Sequence, residues 1–151
     1  MTNEERLVLL KTRRQHAAWR AARDEWREQS GILRSRAGSE GMPRRALSPD
    51  GVVCAMMRRE RARRHMLRQR AQLEACQDAA RRVIGAMPAR LAAFCTCRYL
   101  CGMGMQDIYA RLRGRVSRSQ IDRYKRAIEM EDGYDRGTVG VCSDEEGQRK
   151  A

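Results

Sequence analysis

The side chains in this sequence that could do chemistry are concentrated between residues 113 and 126, where basic and small polar types follow one another. Arginine can bind a guanine edge or a phosphate through two parallel hydrogen bonds, and glutamine can bind an adenine edge. A serine at the start of a helix leaves backbone N–H groups for a phosphate. The candidate DNA-binding residues are Arg113, Arg115, Ser117, Arg118, Ser119, Gln120, Arg123, Lys125 and Arg126. They favour recognition of duplex DNA rather than catalysis.

Two short helices must position these side chains. Apolar spacing predicts one helix over 105–112, a turn over 113–116, and a second helix that Ser117 caps and that runs to about Met130. A small core should fix the pair, and its members are Ile108, Leu112, Val116, Ile121 and Tyr124. This arrangement is that of a helix-turn-helix, whose second helix enters the major groove. An ordinary helical hairpin with a solvated basic face remains the alternative.

Upstream, the sequence predicts two long helices and an all-α fold, with a long N-terminal helical hairpin or coiled coil before the helix-turn-helix bundle. Ser48 and Pro49 form a start signal, and Pro88 interrupts the pattern. The heptad positions between them are Val52, Ala55, Arg59, Ala62, Met66, Gln69, Leu73, Cys76, Ala80, Val83 and Met87. Either the first helix folded back or a second subunit could cover this seam. The predicted segments are a helix at 1–29, ended by Ser30 and Gly31, a basic linker at 30–49, the heptad helix at 50–87, the helix-turn-helix domain at 88–130 and an acidic, disordered tail at 131–151.

The composition favours a polyanionic partner. The chain has 151 residues, a net charge of +13 and an aromatic fraction of 5%, so any core is small and aliphatic. Only three of its 32 basic residues are lysine, an arginine excess that a GC-rich genome would also produce. Residues 88–130 carry nine basic and three acidic side chains, so the positive surplus is largest over the predicted helix-turn-helix.

The thiols and imidazoles do not suggest a metal site or a catalytic set. Cys95, Cys97 and Cys101 lie on one predicted helix without the second ligand pair that zinc sites usually have, so we expect buried apolar thiols. His16 and His65 are isolated on basic helices and are predicted to be solvated. The sequence contains no Ser/His/Asp set, phosphate-binding loop or paired acidic cluster, so we expect neither an enzyme nor a cofactor.

The N-terminal residues lack the apolar run of a signal peptide, and no stretch approaches the roughly 18 apolar residues of a membrane span. We therefore expect a protein of the cytoplasm with reduced cysteines and no membrane partner.

Residues 98–128 resemble region four of bacterial sigma factors and, more closely, the sigma-like domain of small phage transcriptional regulators of the RinA/ArpU type. The matching residues are Arg98, Tyr99, Gly102, Ile108, Leu112, Ser117, Ile121, Arg123, Ala127 and Ile128. Upstream of this motif the order of elements is also similar, so the resemblance extends over roughly residues 3–130. It implies a phage or prophage DNA-binding regulator with RNA polymerase as protein partner, and either a homodimer through the long helices or a monomer.

Two departures from that family favour a different class of function. Tyr109 is bulky where the family has a small residue, and the turn is about two residues longer. A basic helical protein that binds another protein, such as an anti-CRISPR acting on a nucleoprotein complex, is the first alternative. A small terminase subunit that packages DNA is the second, because it also joins a helix-turn-helix to a helical oligomerisation segment.

Overall fold

The computed structural model describes residues 1–37 and 49–129, and within these ranges every regular element is a helix, as the sequence predicts. The elements are α1 (Asn3–Ala37), α2 (Pro49–Gly85), α3 (Ala89–Cys95), a π-helix (Thr96–Leu100), α4 (Met105–Arg111) and α5 (Arg118–Glu129). Most of the predicted linker and the predicted disordered tail lie outside the described residues. No helix in the described ranges is both long and apolar enough to cross a bilayer.

The two long helices form an antiparallel hairpin within one chain. Gln15 Nε2 donates to Gln69 Oε1 at 2.6 Å. The Thr12 hydroxyl shares its proton between Val8 O of its own helix, at 2.9 Å, and Cys76 O across the hairpin, at 3.1 Å. The polar side chains of Thr12, Gln15 and Gln69 therefore have hydrogen-bond partners at the seam, which offsets the cost of burying them. Of the two partners that the sequence leaves open for the α2 seam, the structure has the folded-back first helix.

Two predictions about the hairpin are wrong. The first helix does not end at Ser30 and Gly31 but continues to Ala37, and Ser30 is buried within it. A glycine in a helix costs only about 1 kcal/mol, which is not enough to end a helix of 35 residues. Val52 and Arg59 are exposed instead of lying in the seam. In a straight helix, residues that repeat every seven positions drift around the axis by about 20° per heptad. Arg59 and Val52 lie 14 and 21 residues before the buried Leu73, so this drift turns them away from α1.

The π-helix joins the short helices to the hairpin. Its i to i+5 pattern closes with Cys101 N–H donating to Thr96 O at 2.9 Å. The carbonyl of Leu100 then accepts hydrogen bonds from Gln77 Nε2 at 2.8 Å and from His16 Nε2 at 3.1 Å. His16 is therefore buried at this junction, and the prediction that it is solvated is wrong. The hydrogen-bond partner of His16, Leu100, is 84 residues away in the sequence, so no local pattern predicts this contact.

The core of the bundle confirms the predicted apolar faces. Ile108, Leu112, Val116 and Ile121 are all buried, as predicted. Phe94 is buried with them, and its ring meets that of Tyr99 edge to face, at 6.3 Å between centroids. The cluster continues into Leu9 and Leu10 of α1 and into Ala80 and Ile84 of α2. The bundle and one end of the hairpin therefore share a single core.

Candidate nucleic-acid interface

The turn before α5 sets where the helix begins. Gly114 adopts a φ of 83°, a left-handed conformation that glycine reaches without strain. The chain then continues through Val116, whose N–H donates to Leu112 O at 3.1 Å. Ser117 Oγ accepts the N–H of Gln120 at 3.3 Å, which confirms the predicted N-cap. The longer turn is therefore a hydrogen-bonded structure that leaves the side chains of Arg113 and Arg115 exposed.

The other end of α5 is held by a buried ionic cluster around Glu129. Arg98 Nε lies 3.0 Å from Glu129 Oε1, and the side chains of this pair are 9% and 10% exposed. The hydroxyl of Tyr99 donates to the same oxygen at 3.1 Å, and Arg13 Nη1 lies 2.8 Å from Oε2. The carboxylate thus has partners from α1 and from the π-helix, and the last turn of α5 cannot move independently of either.

The titration of these groups reflects the same contacts. Burial by itself raises the pKa of Glu129, but the hydrogen bond and charge of Arg98, followed by the charge of Arg13, bring it below its usual value. Burial, followed by the nearby charge of Glu129, raises the pKa of Tyr99. At neutral pH the cluster therefore consists of an ionised carboxylate, its two guanidinium partners and a neutral phenol.

A further arginine closes the helix end. Arg6 Nε donates to the carbonyl of Ile128 at 2.7 Å, and Arg6 itself is buried. The last carbonyls of a helix have no partner within the helix and carry the negative end of its dipole, so a cation there is stabilising. The C-terminal end of α5 is thus held by α1, while the N-terminal end of α5 and its outward face remain open to a partner.

Tyr109, the bulky departure from the family pattern, ties α4 to α5. Its hydroxyl donates a hydrogen bond to Asp122, which raises the pKa of Tyr109. The guanidinium of Arg118 lies 4.6 Å from the centroid of the Tyr109 ring, a cation–π contact. The side chain therefore sets the spacing between the two helices by contact. It also holds Arg118 against α4 rather than extended away from the helix.

The predicted DNA-binding residues fall on different faces of α5. Successive residues of an α-helix are about 100° apart, so Ser119, Arg123 and Arg126 share one outward face, and all three are exposed. Arg118 and Lys125 lie on a flank of the helix with Asp122 between them. The predicted set is therefore brought together only in part.

Gln120 and Lys125 are half-buried, so they present less of their side chains than the prediction assumed. The turn residue Arg113 joins Ser117 and Arg118 around an open groove of about 470 Å³ beside Tyr109. These arginines border the N-terminal end of α5, which carries the positive end of the helix dipole.

The cysteines follow the prediction except at one position. Cys95 and Cys97 are buried, and burial raises the pKa of Cys95 to about 12, so it remains a thiol. Cys101 is exposed, contrary to the prediction, because it comes directly after the last residue of the π-helix, where the chain turns at Gly102. Within residues 1–37 and 49–129 no group of three His, Cys, Asp or Glu side chains could hold a metal ion.

The sequence reasoning missed the residues that anchor α5. Arg6, Arg13 and Glu129 had no assigned role, and Glu129 does not stand out in the sequence, because Glu131 and Asp132 follow it closely. Their partners are 30 or more residues away, beyond the reach of helical periodicity. Comparison of the chain with protein-family models, curated proteins and solved structures gives no match.

Proposed function

We propose that this protein binds double-stranded DNA, with the exposed face of α5 in the major groove. The observation that carries the proposal is the combination of an anchored helix and a free basic face. The ionic cluster at Glu129 fixes the C-terminal end of α5, while Ser119, Arg123 and Arg126 are exposed. Arg123 and Arg126 make no ion pair with any residue in the described ranges. A recognition helix has to be rigidly held and must carry its contacts on the side away from the core.

The electrostatics support the same partner. Arg113 and Arg115 extend from the turn before α5, where phosphates of a docked duplex would lie. Arginine on the outward face can also form paired hydrogen bonds to guanine. Phosphate contacts of this kind supply affinity that falls as salt rises, whereas base contacts supply the preference for one sequence.

For the biological role, we propose a transcriptional regulator encoded by a phage or prophage and acting in the host cytoplasm, with RNA polymerase as a protein partner. The support is the resemblance of residues 98–128 to the sigma-like regulators. In the structure, the Arg98 and Tyr99 of that motif form the anchor of α5, and its Ile108, Leu112 and Ile121 form the core beneath it. These motif positions therefore serve the positioning of α5.

The test starts by selecting duplexes from a random library with the full-length protein and then measuring binding by fluorescence anisotropy. The key variant is Arg123→Gln/Arg126→Gln, and the matched control is Arg63→Gln/Arg64→Gln, which removes the same charge from the hairpin. We expect the α5 variant to lose the preference for the selected duplex over a scrambled one, by about tenfold or more per lost base contact. The control should retain that preference. Equal preference in the two variants would overturn the proposal.

A second candidate function, binding of another protein as the inhibitor alternative requires, is supported by one observation. Near the start of α2, Val53, Met56 and Met57 are exposed and line an open groove of about 640 Å³, with Arg59 and Arg63 at its rim. Exposed apolar groups with a polar rim are typical of docking surfaces. A complex with a host protein that persists after Arg123→Gln/Arg126→Gln would favour this function, and a ring-shaped oligomer would favour the terminase alternative.

A further inference from the structure

The part of the hairpin beyond the bundle carries a second basic surface. Arg58, Arg61 and Arg68 are exposed on α2, and together with the half-buried His65 they line a groove of about 380 Å³. We call these four residues the far arginine groove. None of the three arginines makes an ion pair with another residue in the ranges that the structure describes. Their exposed neighbours Arg63, Arg64 and Arg70 differ in this respect, because each is paired with Glu60 or Glu74.

This surface is separate from α5 because it lies on the opposite side of the hairpin. Gln77 marks the side of α2 that meets the bundle, since it bonds to Leu100. At about 100° per residue, Arg68 and Arg61 are nine and sixteen residues before Gln77 and so point roughly half a turn away from it, while Arg58 is about a quarter of a turn away. The same holds on α1, where Glu25 lines the groove and is nine residues after His16, which bonds to the bundle. Both helices therefore place the groove away from the bundle.

The chemistry of the groove fits a phosphate backbone better than a protein surface. Its walls hold three arginines and one carboxylate, that of Glu25, and no exposed apolar side chain. A protein-docking surface usually has an apolar centre. With a rise of 1.5 Å per residue, Arg58 and Arg68 are roughly 15 Å apart along the axis of α2. That length slightly exceeds the width of the major groove, about 12 Å, so the two guanidinium groups can reach phosphates on both of its walls.

We propose that the far arginine groove binds the sugar–phosphate backbone of a second duplex, so that one protein molecule holds two segments of DNA. The proposal rests on the proposed function for the first duplex, which α5 would bind. Its contacts are to phosphates alone, so the second duplex can have any sequence. The bound duplexes would lie on opposite sides of the hairpin, which keeps their charges apart.

A capture experiment tests the inference. A selected duplex is fixed to beads, a fluorescent duplex of unrelated sequence is added, and the amount retained by wild-type protein is measured. The variant is Arg58→Gln/Arg61→Gln/Arg68→Gln, and the matched control is Arg63→Gln/Arg64→Gln/Arg70→Gln, with the same loss of charge from the same helix. We expect the groove variant to retain about tenfold less fluorescent duplex than the wild type, and the control to retain nearly as much as the wild type.

The salt dependence gives a second readout. Each arginine–phosphate contact should contribute about 0.9 to the slope of log affinity against log salt, so the groove variant should lose roughly 2 to 3 units of slope for the fluorescent duplex. Circular dichroism of each variant establishes that the helices are intact. Arg61→Glu, a single reversal of charge, provides an independent variant that should also lower capture.

The failures of the two proposals are distinguishable. If wild-type protein does not retain the fluorescent duplex, or if the groove variant retains as much as the control, the inference is overturned while binding by α5 is unaffected. If Arg123→Gln/Arg126→Gln still prefers the selected duplex, the proposed function fails instead. A dimer could also hold two duplexes, one on each copy of α5, and light scattering of the free protein measures whether a dimer forms. If a dimer were responsible, the groove variant would still retain the fluorescent duplex, and the inference would fail.

Discussion

The two ends of the hairpin are held together by different kinds of contact. At the bundle end the polar contacts are buried and link residues far apart in sequence, as between Arg6 and Ile128 or Arg98 and Glu129. In the half of α2 that lies farther from the bundle, the ion pairs join neighbours on one helix, and both side chains are exposed, as in Arg64 and Glu60. We call this part the outer half of α2. Exposed pairs of that type contribute about 0 to 1 kcal/mol, whereas breaking a buried pair costs several times more.

Under the proposed function, this difference would give the two ends separate tasks. The bundle end uses its buried contacts to hold α5 in one orientation, which the proposed recognition of a base sequence would require. The outer half of α2 packs only along the seam with α1, and its exposed Arg58, Arg61 and Arg68 make no ion pair within the described residues. Specificity should accordingly depend on the bundle end, and general affinity for polyanions on both.

The largest effect should come from breaking the buried pair. Arg98→Met keeps most of the volume but leaves Glu129 with only Tyr99 and the half-exposed Arg13. We expect a loss of about 3 kcal/mol in the free energy of unfolding, measured by urea denaturation. Arg64→Gln, the control in the outer half, should change it by less than about 0.5 kcal/mol. Similar losses of unfolding free energy in Arg98→Met and Arg64→Gln would contradict the proposed difference between buried and exposed ion pairs.

Gly102 should be the next most sensitive position. It has a φ of 65°, and an added Cβ would lie 2.7 Å from Arg20 Nη2 and 2.9 Å from His16 Nδ1. Gly102→Ala should therefore cost about 2 kcal/mol or more, through strain together with displacement of the hairpin contacts. Gly114 has a φ of 83° but nothing within 4 Å of an added Cβ, so Gly114→Ala should cost only the strain, about 1 kcal/mol. Thermal unfolding of the two variants measures the difference.

A smaller loss is expected at the seam. Thr12 is fully buried, and its hydroxyl shares its proton between Val8 O of the same helix and Cys76 O across the hairpin. Thr12→Val keeps the shape and removes the hydroxyl, so we expect a loss of about 1 kcal/mol in urea denaturation. Val53→Ser, on the exposed outer part of α2, serves as the comparison and should be nearly neutral. A neutral Thr12→Val would mean that the buried hydroxyl contributes nothing net to the stability of the hairpin.

The smallest expected effect is a pH dependence from His16. Burial, with a further contribution from the charge of Arg20, lowers the pKa of His16 below its usual value of 6.5. The unfolded chain therefore binds this proton more readily than the folded protein, and stability should fall as pH drops below about 6.5. Urea denaturation at pH 7.5 and pH 5.5 should show the loss, and His16→Gln should reduce it. The lowered pKa of Glu129 makes stability depend on pH only in a more acidic range, so its effect on the free energy of unfolding is distinguishable from that of His16.

Much of the fold follows from local features of the sequence. The apolar spacing of Ile108, Leu112 and Ile121 predicts which face of each short helix is buried, and Pro49 and Ser117 mark helix starts that the structure confirms. The start signals act within a single turn, and the apolar spacing repeats with the helical period, so both can be identified without knowledge of the tertiary fold. The candidate residues of α5 and their division between faces also follow from helical spacing, but the contacts of Tyr109 with Asp122 and Arg118 do not.

The sequence by itself determined that the chain is helical in the described ranges, where most of its helices begin, and that its positive charge is concentrated near the two helices around the turn at 113–116. Tertiary structure decided that α2 pairs with α1, that His16 is buried, and that Glu129 anchors α5. The physical reason is distance along the chain. Helical periodicity and capping act over a few residues, whereas contacts such as Arg6 with Ile128 form only after the hairpin has brought two remote segments together.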